Sequence, residues 1–153
     1  MRLVIDTNIW IKALVSKEYE IDCAEALYCF LHDKDMELAL DCKGEIMAEY
    51  RDNLQKERSF QKCMIKLENE KRKCLVSSNL NKAHKNALIS RGFHEPEDHV
   101  FVGTAMNADK LIVTEDSDYG VHQEAEKQAV FTYMKEKMGM QVMSAEQFSR
   151  EQA

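Results

Sequence analysis

The sequence has a single proline, Pro96, only five glycines, and no repeat or low-complexity tract, so it offers no extended linker and no internal domain boundary. No run approaches the roughly 20 apolar residues of a membrane-crossing helix, and the first segment is too short and meets an acid too early for a signal peptide. The five cysteines, Cys23, Cys29, Cys42, Cys63 and Cys74, form no Cys-x-x-Cys pair, and their odd number argues against a disulfide framework. They read as reduced thiols, with Cys23 and Cys29 small core residues among apolar neighbours. His84, His94 and His99 make no zinc spacing and read as surface residues. The expected address is the cytoplasm, with no membrane partner.

What is present suits one domain over residues 1–153: 44% hydrophobic and 31% charged residues are ordinary for a globular protein with a sizeable core. A strand is expected at about Arg2–Ile5, a helix from about Thr7, another over about Ile21–His32, and a second strand at about Met36–Leu40. The segment "CKGEIMAEYRDNLQKE" reads as a helix with Ile46, Met47, Tyr50 and Leu54 on its buried face. A basic helix, "SFQKCMIKLENEKRKCL", follows, then a helical piece around "NKAHKNALISRG" that Gly92 ends. Pro96 opens the helix in "EPEDHVFVGTAMNAD". A buried strand "KLIVT", a long helix from about His122 to Lys137 and a short strand "MQVMS" complete the pattern. This alternation predicts a three-layer α/β/α sandwich with a mostly parallel central sheet.

A net charge of −6 taken whole speaks against a nucleic-acid partner, but the charge is segregated. From Leu54 to Arg91, ten Lys/Arg face three acids, a surplus of +7 that leaves the remainder at −13.

In an open parallel sheet, ligands bind outside the carboxyl ends of the strands. Asp6 follows the run Leu3–Ile5, and Glu115, Asp116 and Asp118 follow Leu111–Val113. A carboxylate at the end of a buried strand must be hydrated, hydrogen-bonded or metal-bound. Asp6 is equally readable as the N-cap of the first helix. Asp98 shares a helix face with Val102 and Ala105, which turns it inward rather than to solvent. Glu49, with Glu45 one turn earlier, reads as a solvated helical glutamate or a further acid of the same cleft. Acids gathered this closely need a cation, and an all-oxygen set suits Mg2+ or Mn2+, which can activate water for phosphodiester hydrolysis.

The stretches "VIDTNIWIKAL", "EIMAEYRDNL", "EDHVFVGTAMNADKLIVTEDSDY" and "VMSAEQF" resemble, in order and spacing, the motifs of the PIN-domain ribonucleases. The resemblance spans nearly the whole chain and implies a PIN-like fold. It places the family's acids on Asp6, Glu49, Asp98, Asp116 and Asp118, with Asn8 and Thr114 as orienting residues. It implies that Asp6, Asp98 and Asp116 hold Mg2+ or Mn2+ and that a bound water cleaves single-stranded RNA. Glu45 competes with Glu49 for the helical acid, and Asp118 is the acid that could stand behind the ligands. Many small free-standing members resemble the toxin half of toxin–antitoxin pairs, which implies an antitoxin partner; others process RNA.

Two further classes fail on single residues. A haloacid-dehalogenase-type phosphatase needs an Asp where Asn8 stands, and a calcium loop in "DSDYG" would need a glutamate at Lys127. The rival of another class is a catalytically idle scaffold that binds RNA or a protein partner. Because an acidic cleft repels a polyanion, the basic run is the candidate RNA surface, with Lys71, Arg72, Lys73 and Lys85 as contacts. A merely solvated face and an acidic protein partner are the alternatives at that surface, with His84, Lys85 and Arg91, or the second subunit of a homodimer, as the other places for the RNA path.

Overall fold

Three short apolar runs that can be buried on both faces lie side by side in the sheet: Leu3–Ile5, Leu38–Leu40 and Leu111–Val113. The structure, a computed structural model, describes residues 1–153. Its elements are β1 (Arg2–Ile5), α1 (Thr7–Leu14), α2 (Ile21–His32), β2 (Glu37–Asp41), α3 (Glu45–Leu54), α4 (Arg58–Asn69), β3 (Lys73–Val76), α5 (Lys82–Ser90), α6 (Pro96–Met106), β4 (Leu111–Val113), α7 (Gln128–Glu136), β5 (Gln141–Met143) and α8 (Ala145–Gln152). The five strands run in the order β3-β2-β1-β4-β5 and all pairs are parallel.

That order reverses direction between β1 and β4. Right-handed crossovers therefore send α1–α4 to one face and α5–α7 to the other, which gives three layers. The packing agrees: α1 lies against α2, α3 and α4, α8 returns to α2, and α6 crosses β1, β2 and β4. The core is one cluster of 36 buried apolar side chains, with Trp10, Tyr50 and Phe60 meeting at centroid separations of 5.6–6.0 Å between α1, α3 and α4.

The structure differs from the sequence reading in three elements, one of them the closing helix α8, which follows β5 where the expected pattern ended. The basic helix stops at Asn69, and the chain turns through Lys71 in the left-handed region (φ 57) into β3. This strand is a four-residue edge strand with Leu75 67% exposed, so it carries neither alternation nor a buried run. The long helix expected from His122 begins only at Gln128. Before it, Gly120 (φ 70) and Gln123 (φ 62) break the backbone, and a Cβ on Gly120 would sit 2.7 Å from the Lys127 carbonyl oxygen. One histidine departs as well. His99 is buried, stacked on Phe93 at 5.5 Å with its Nε2 2.7 Å from the Phe93 carbonyl, rather than at the surface.

Candidate active site

Asp6 is the first residue beyond β1 and still belongs to the ladder, its N–H donating to the Val113 carbonyl at 3.0 Å. It therefore stands at the seam between β1 and β4, where the order reverses and a cleft must open. Its carboxylate is committed twice. Oδ1 accepts the Thr7 N–H at 2.7 Å, capping α1, and Oδ2 accepts the Thr114 hydroxyl at 2.6 Å. The Thr114 Oγ1 in turn accepts the Asp116 N–H at 3.0 Å, and Asp116 Oδ1 accepts the Asp118 N–H at 2.9 Å. Asn8 Oδ1 accepts the Glu115 N–H at 3.2 Å. One chain of hydrogen bonds thus sets the loop after β4 against the start of α1.

Two helices bring the remaining acids. The first turn of α6, opened by Pro96, carries Asp98. Asp98, Asp116 and Asp118 each offer a carboxylate oxygen, and these lie within 4.8 Å of one another. Glu49 comes from α3, and its Oε2 accepts the Thr7 hydroxyl. The placement of α3 rests on buried Asp41, the last residue of β2, which caps the helix by accepting the N–H groups of Ile46 (2.8 Å) and Glu45 (3.0 Å). The Tyr50 hydroxyl ties the same helix to the Ile5 carbonyl. Beside Glu49, between α3 and α6, lies a cleft of about 450 Å3 bordered by Glu45, Asp52 and Glu97 over Val100 and Phe101.

The crowding has an electrostatic cost. Burial, followed by the charges of Asp116, Asp6, Asp118 and Glu49, pushes the Asp98 carboxyl up to about 7. Burial also raises Asp6 to about 7; the Thr114 hydrogen bond opposes this, while the charges of Asp116 and Glu49 add to it. Across these five carboxylates a single ion pair forms, Lys127 Nζ to Asp118 Oδ1 at 3.6 Å. The buried Tyr119 hydroxyl has no partner, and its pKa is raised by burial and by Asp6, Asp98, Asp116 and Glu49. Three converging oxygen donors, short of positive charge, fit a hard divalent cation such as Mg2+ or Mn2+.

A family model described as PIN domain matches residues 2–118. The chain belongs to the PIN domain family. PIN domains are generally nucleases, and the acids of this one gather where its sheet reverses. Among solved structures, this PIN domain is similar to a chain of VapBC2 from Rickettsia felis, described bound to a DNA fragment from their promoter. The two share 12% identity and a TM-score of 0.47 over 94% of this chain and 98% of that one. No curated protein matches.

Within the PIN domain, the sequence-derived site residues divide. Asp6, Asn8, Glu49, Asp98, Thr114, Asp116 and Asp118 are brought together. The converging triad is Asp98, Asp116 and Asp118. Asp6, expected among the metal ligands, lies deeper, 8% exposed, with one hydrogen bond accepted at each oxygen. Glu45 is exposed and Glu49 is the glutamate bonded to Thr7. Glu115 turns aside, its carboxylate accepting the Ala145 N–H at 2.7 Å and pairing with His122.

The basic side chains divide differently. Arg72 is 3% exposed, and its guanidinium donates to the carbonyls of Phe30, Leu31 and Met36 and to Glu70, so it is a structural anchor and not an RNA contact. Lys73 is level with Leu3, three residues before Asp6, and pairs with Glu68. It and Lys71 therefore stand at the amino end of the sheet, about 10 Å along the strand direction from the acids. Lys85 alone of the four lies on the acids' side, facing a cleft with Lys43 and His94. Sequence reasoning missed Asp41, Tyr119 and Lys127. Asp41 had the same signal as Asp6, an acid closing an apolar strand.

Proposed function

We propose that this PIN domain is an endoribonuclease that hydrolyses phosphodiester bonds of single-stranded RNA with Mg2+ or Mn2+. The observation that carries the reading is the convergence of Asp98, Asp116 and Asp118 within 4.8 Å at the carboxyl edge of the sheet. These three would hold the ion, with Asp6 behind them. When bound, the ion supplies Lewis-acid activation of water and stabilises the charge that develops on the phosphate oxygens. Asp6 orients the loop after β4 through the Thr114 hydroxyl, and Asn8 fixes the same loop through the Glu115 N–H. Glu49, which lines the α3–α6 cleft and whose Oε2 accepts the Thr7 hydroxyl, would accept the proton of the attacking water. The Lys127 ammonium offsets part of the negative charge at Asp118.

A toxin-type nuclease restrained by an antitoxin, in the cytoplasm, belongs to the same reading and rests on the resemblance of the motifs. The substrate class is tested with end-labelled single-stranded RNA, duplex RNA and single-stranded DNA in Mg2+ and in Mn2+. Cleavage of single-stranded RNA by the wild type and none by Asp116→Asn is the expected result. Cleavage of DNA alone, or equal cleavage by the variant, overturns it.

A further inference from the structure

A second cleft opens on the same edge of the sheet, outside the carboxyl ends of β2 and β3. It holds about 410 Å3 and is walled by Lys43, Ser78, Asn79, Lys85, Ile89 and His94. Glu45, Pro96 and Val100 line both this cleft and the one that Glu49 borders, so the two adjoin. Its charge differs from that of its neighbour. The α3–α6 cleft presents Glu45, Glu49, Asp52 and Glu97 and no lysine or arginine, whereas the second presents two exposed lysines against the shared Glu45. Neither Lys43 nor Lys85 takes part in any of the chain's ion pairs, in contrast with Lys66, Arg72 and Lys73, which are neutralised by Glu70 and Glu68.

The wall that carries Ser78 and Asn79 is held firmly. Asn107, which caps the end of α6, donates to the carbonyls of Ser77 (2.8 Å) and Asn79 (2.9 Å). Gly103, one turn earlier, lets the loop approach so closely that a Cβ there would lie 2.0 Å from the Ser78 carbonyl oxygen. A firmly held pocket with a net positive lining, its two lysines free of ion pairs, beside an acidic cleft suits a polyanion that must cross the acids and be held beyond them.

We propose that this pocket is a backbone subsite for the RNA strand: Lys43 and Lys85 hold a phosphate on one side of the scissile bond, and Ile89 with the His94 imidazole receives the adjoining base. The inference rests on the nuclease reading of the acid cluster. From the β1–β4 seam to the ends of β2 and β3 is about 10 Å, two strand spacings, a reach that a short stretch of single strand covers. The lysines meet phosphate, so they position the strand without reading sequence.

The test uses Lys43→Ala/Lys85→Ala in the full chain, with Lys71→Glu/Lys73→Glu as control. Binding of a fluorescent single-stranded RNA is measured over a salt series in an Asp116→Asn background, and cleavage kinetics in the active background. We expect affinity to fall about tenfold and the salt slope to become shallower by about 0.7 for each phosphate no longer neutralised. KM should rise by the same factor with kcat retained, while the control pair leaves affinity unchanged. Melting temperature equal to the parent protein's shows that the fold is intact. If the wild type cleaves RNA and the double variant binds it with unchanged affinity and slope, as a protein-docking role for the pocket would give, the subsite is overturned and the nuclease reading stands. If the wild type neither binds nor cleaves RNA in Mg2+ or Mn2+, both fall together.

Discussion

Replacing Asp98 by asparagine should stabilise the metal-free protein at alkaline pH and destabilise it relative to wild type once Mg2+ is added. The Asp98 carboxyl is raised from 3.8 to about 7, first by burial and then by the charges of Asp116, Asp6, Asp118 and Glu49. Between those two values the folded protein keeps a proton that the unfolded chain has lost. Stability from this group is therefore full below about 3.8, falls as pH rises, and is lost above about 7. At 1.36 kcal/mol per pKa unit the ceiling is ~4 kcal/mol. The side chain is only half-buried, and solvent screening reduces this to about 1–2 kcal/mol. Asparagine does not titrate, so the variant should melt about 2–8 °C above wild type at pH 8 in EDTA, the gap closing toward pH 4.5. Magnesium at a hundredfold excess over its dissociation constant should add about 2.7 kcal/mol to the wild type and little to the variant, which reverses their order. Differential scanning calorimetry at both pH values, with EDTA and with Mg2+, reads all four states. A variant that melts below wild type at pH 8 in EDTA refutes the like-charge argument. A variant that gains as much from Mg2+ as wild type refutes its role at the cation.

Gly103→Ala should destabilise the fold by about 3 kcal/mol, because its Cβ would meet the Ser78 carbonyl at 2.0 Å and backbone must move; urea melts check this. Thr114→Val removes the hydroxyl that donates to Asp6 and leaves the Asp116 N–H unpaired, at a cost of about 1–3 kcal/mol, and should reduce cleavage more than stability. Comparable losses in Thr114→Val and Thr114→Ser would contradict it. Lys71→Glu with Lys73→Glu should leave RNA cleavage at low salt unchanged, since both residues stand at the amino end of the sheet; a drop in kcat/KM would return the RNA path to that edge.

The strands that build the site were legible because each is a short apolar run closed by an acid, as in Leu3–Ile5 with Asp6 and Leu111–Val113 with the loop to Asp118. Helical phase turned Asp98 inward, and the structure places it beside Asp116 and Asp118. What could not be read depends on position in three dimensions. β3 is an exposed edge strand with no pattern of its own. Arg72, in the middle of a basic run, is drawn into the interior by carbonyls of residues some forty positions away. Charge counted along the chain cannot say which end of a strand it occupies, so the run near Lys71 stands out in the sequence while Lys43, outside that run, does not. The depth of Asp6 relative to the triad follows from two hydrogen bonds, one of them to Thr114, 108 residues away in sequence.

The central claim, that the acid cluster at the β1–β4 seam acts through a divalent cation on RNA, is tested most directly by metal dependence of cleavage. Purified protein stripped with EDTA is assayed on single-stranded RNA while Mg2+, Mn2+ or Zn2+ is titrated back, alongside Asp98→Asn and Asp116→Asn. The account predicts no cleavage in EDTA, recovery with Mg2+ or Mn2+ without any need for Zn2+, and no recovery in either variant. Full cleavage in excess EDTA, or recovery by Mg2+ in Asp116→Asn equal to wild type, would contradict it.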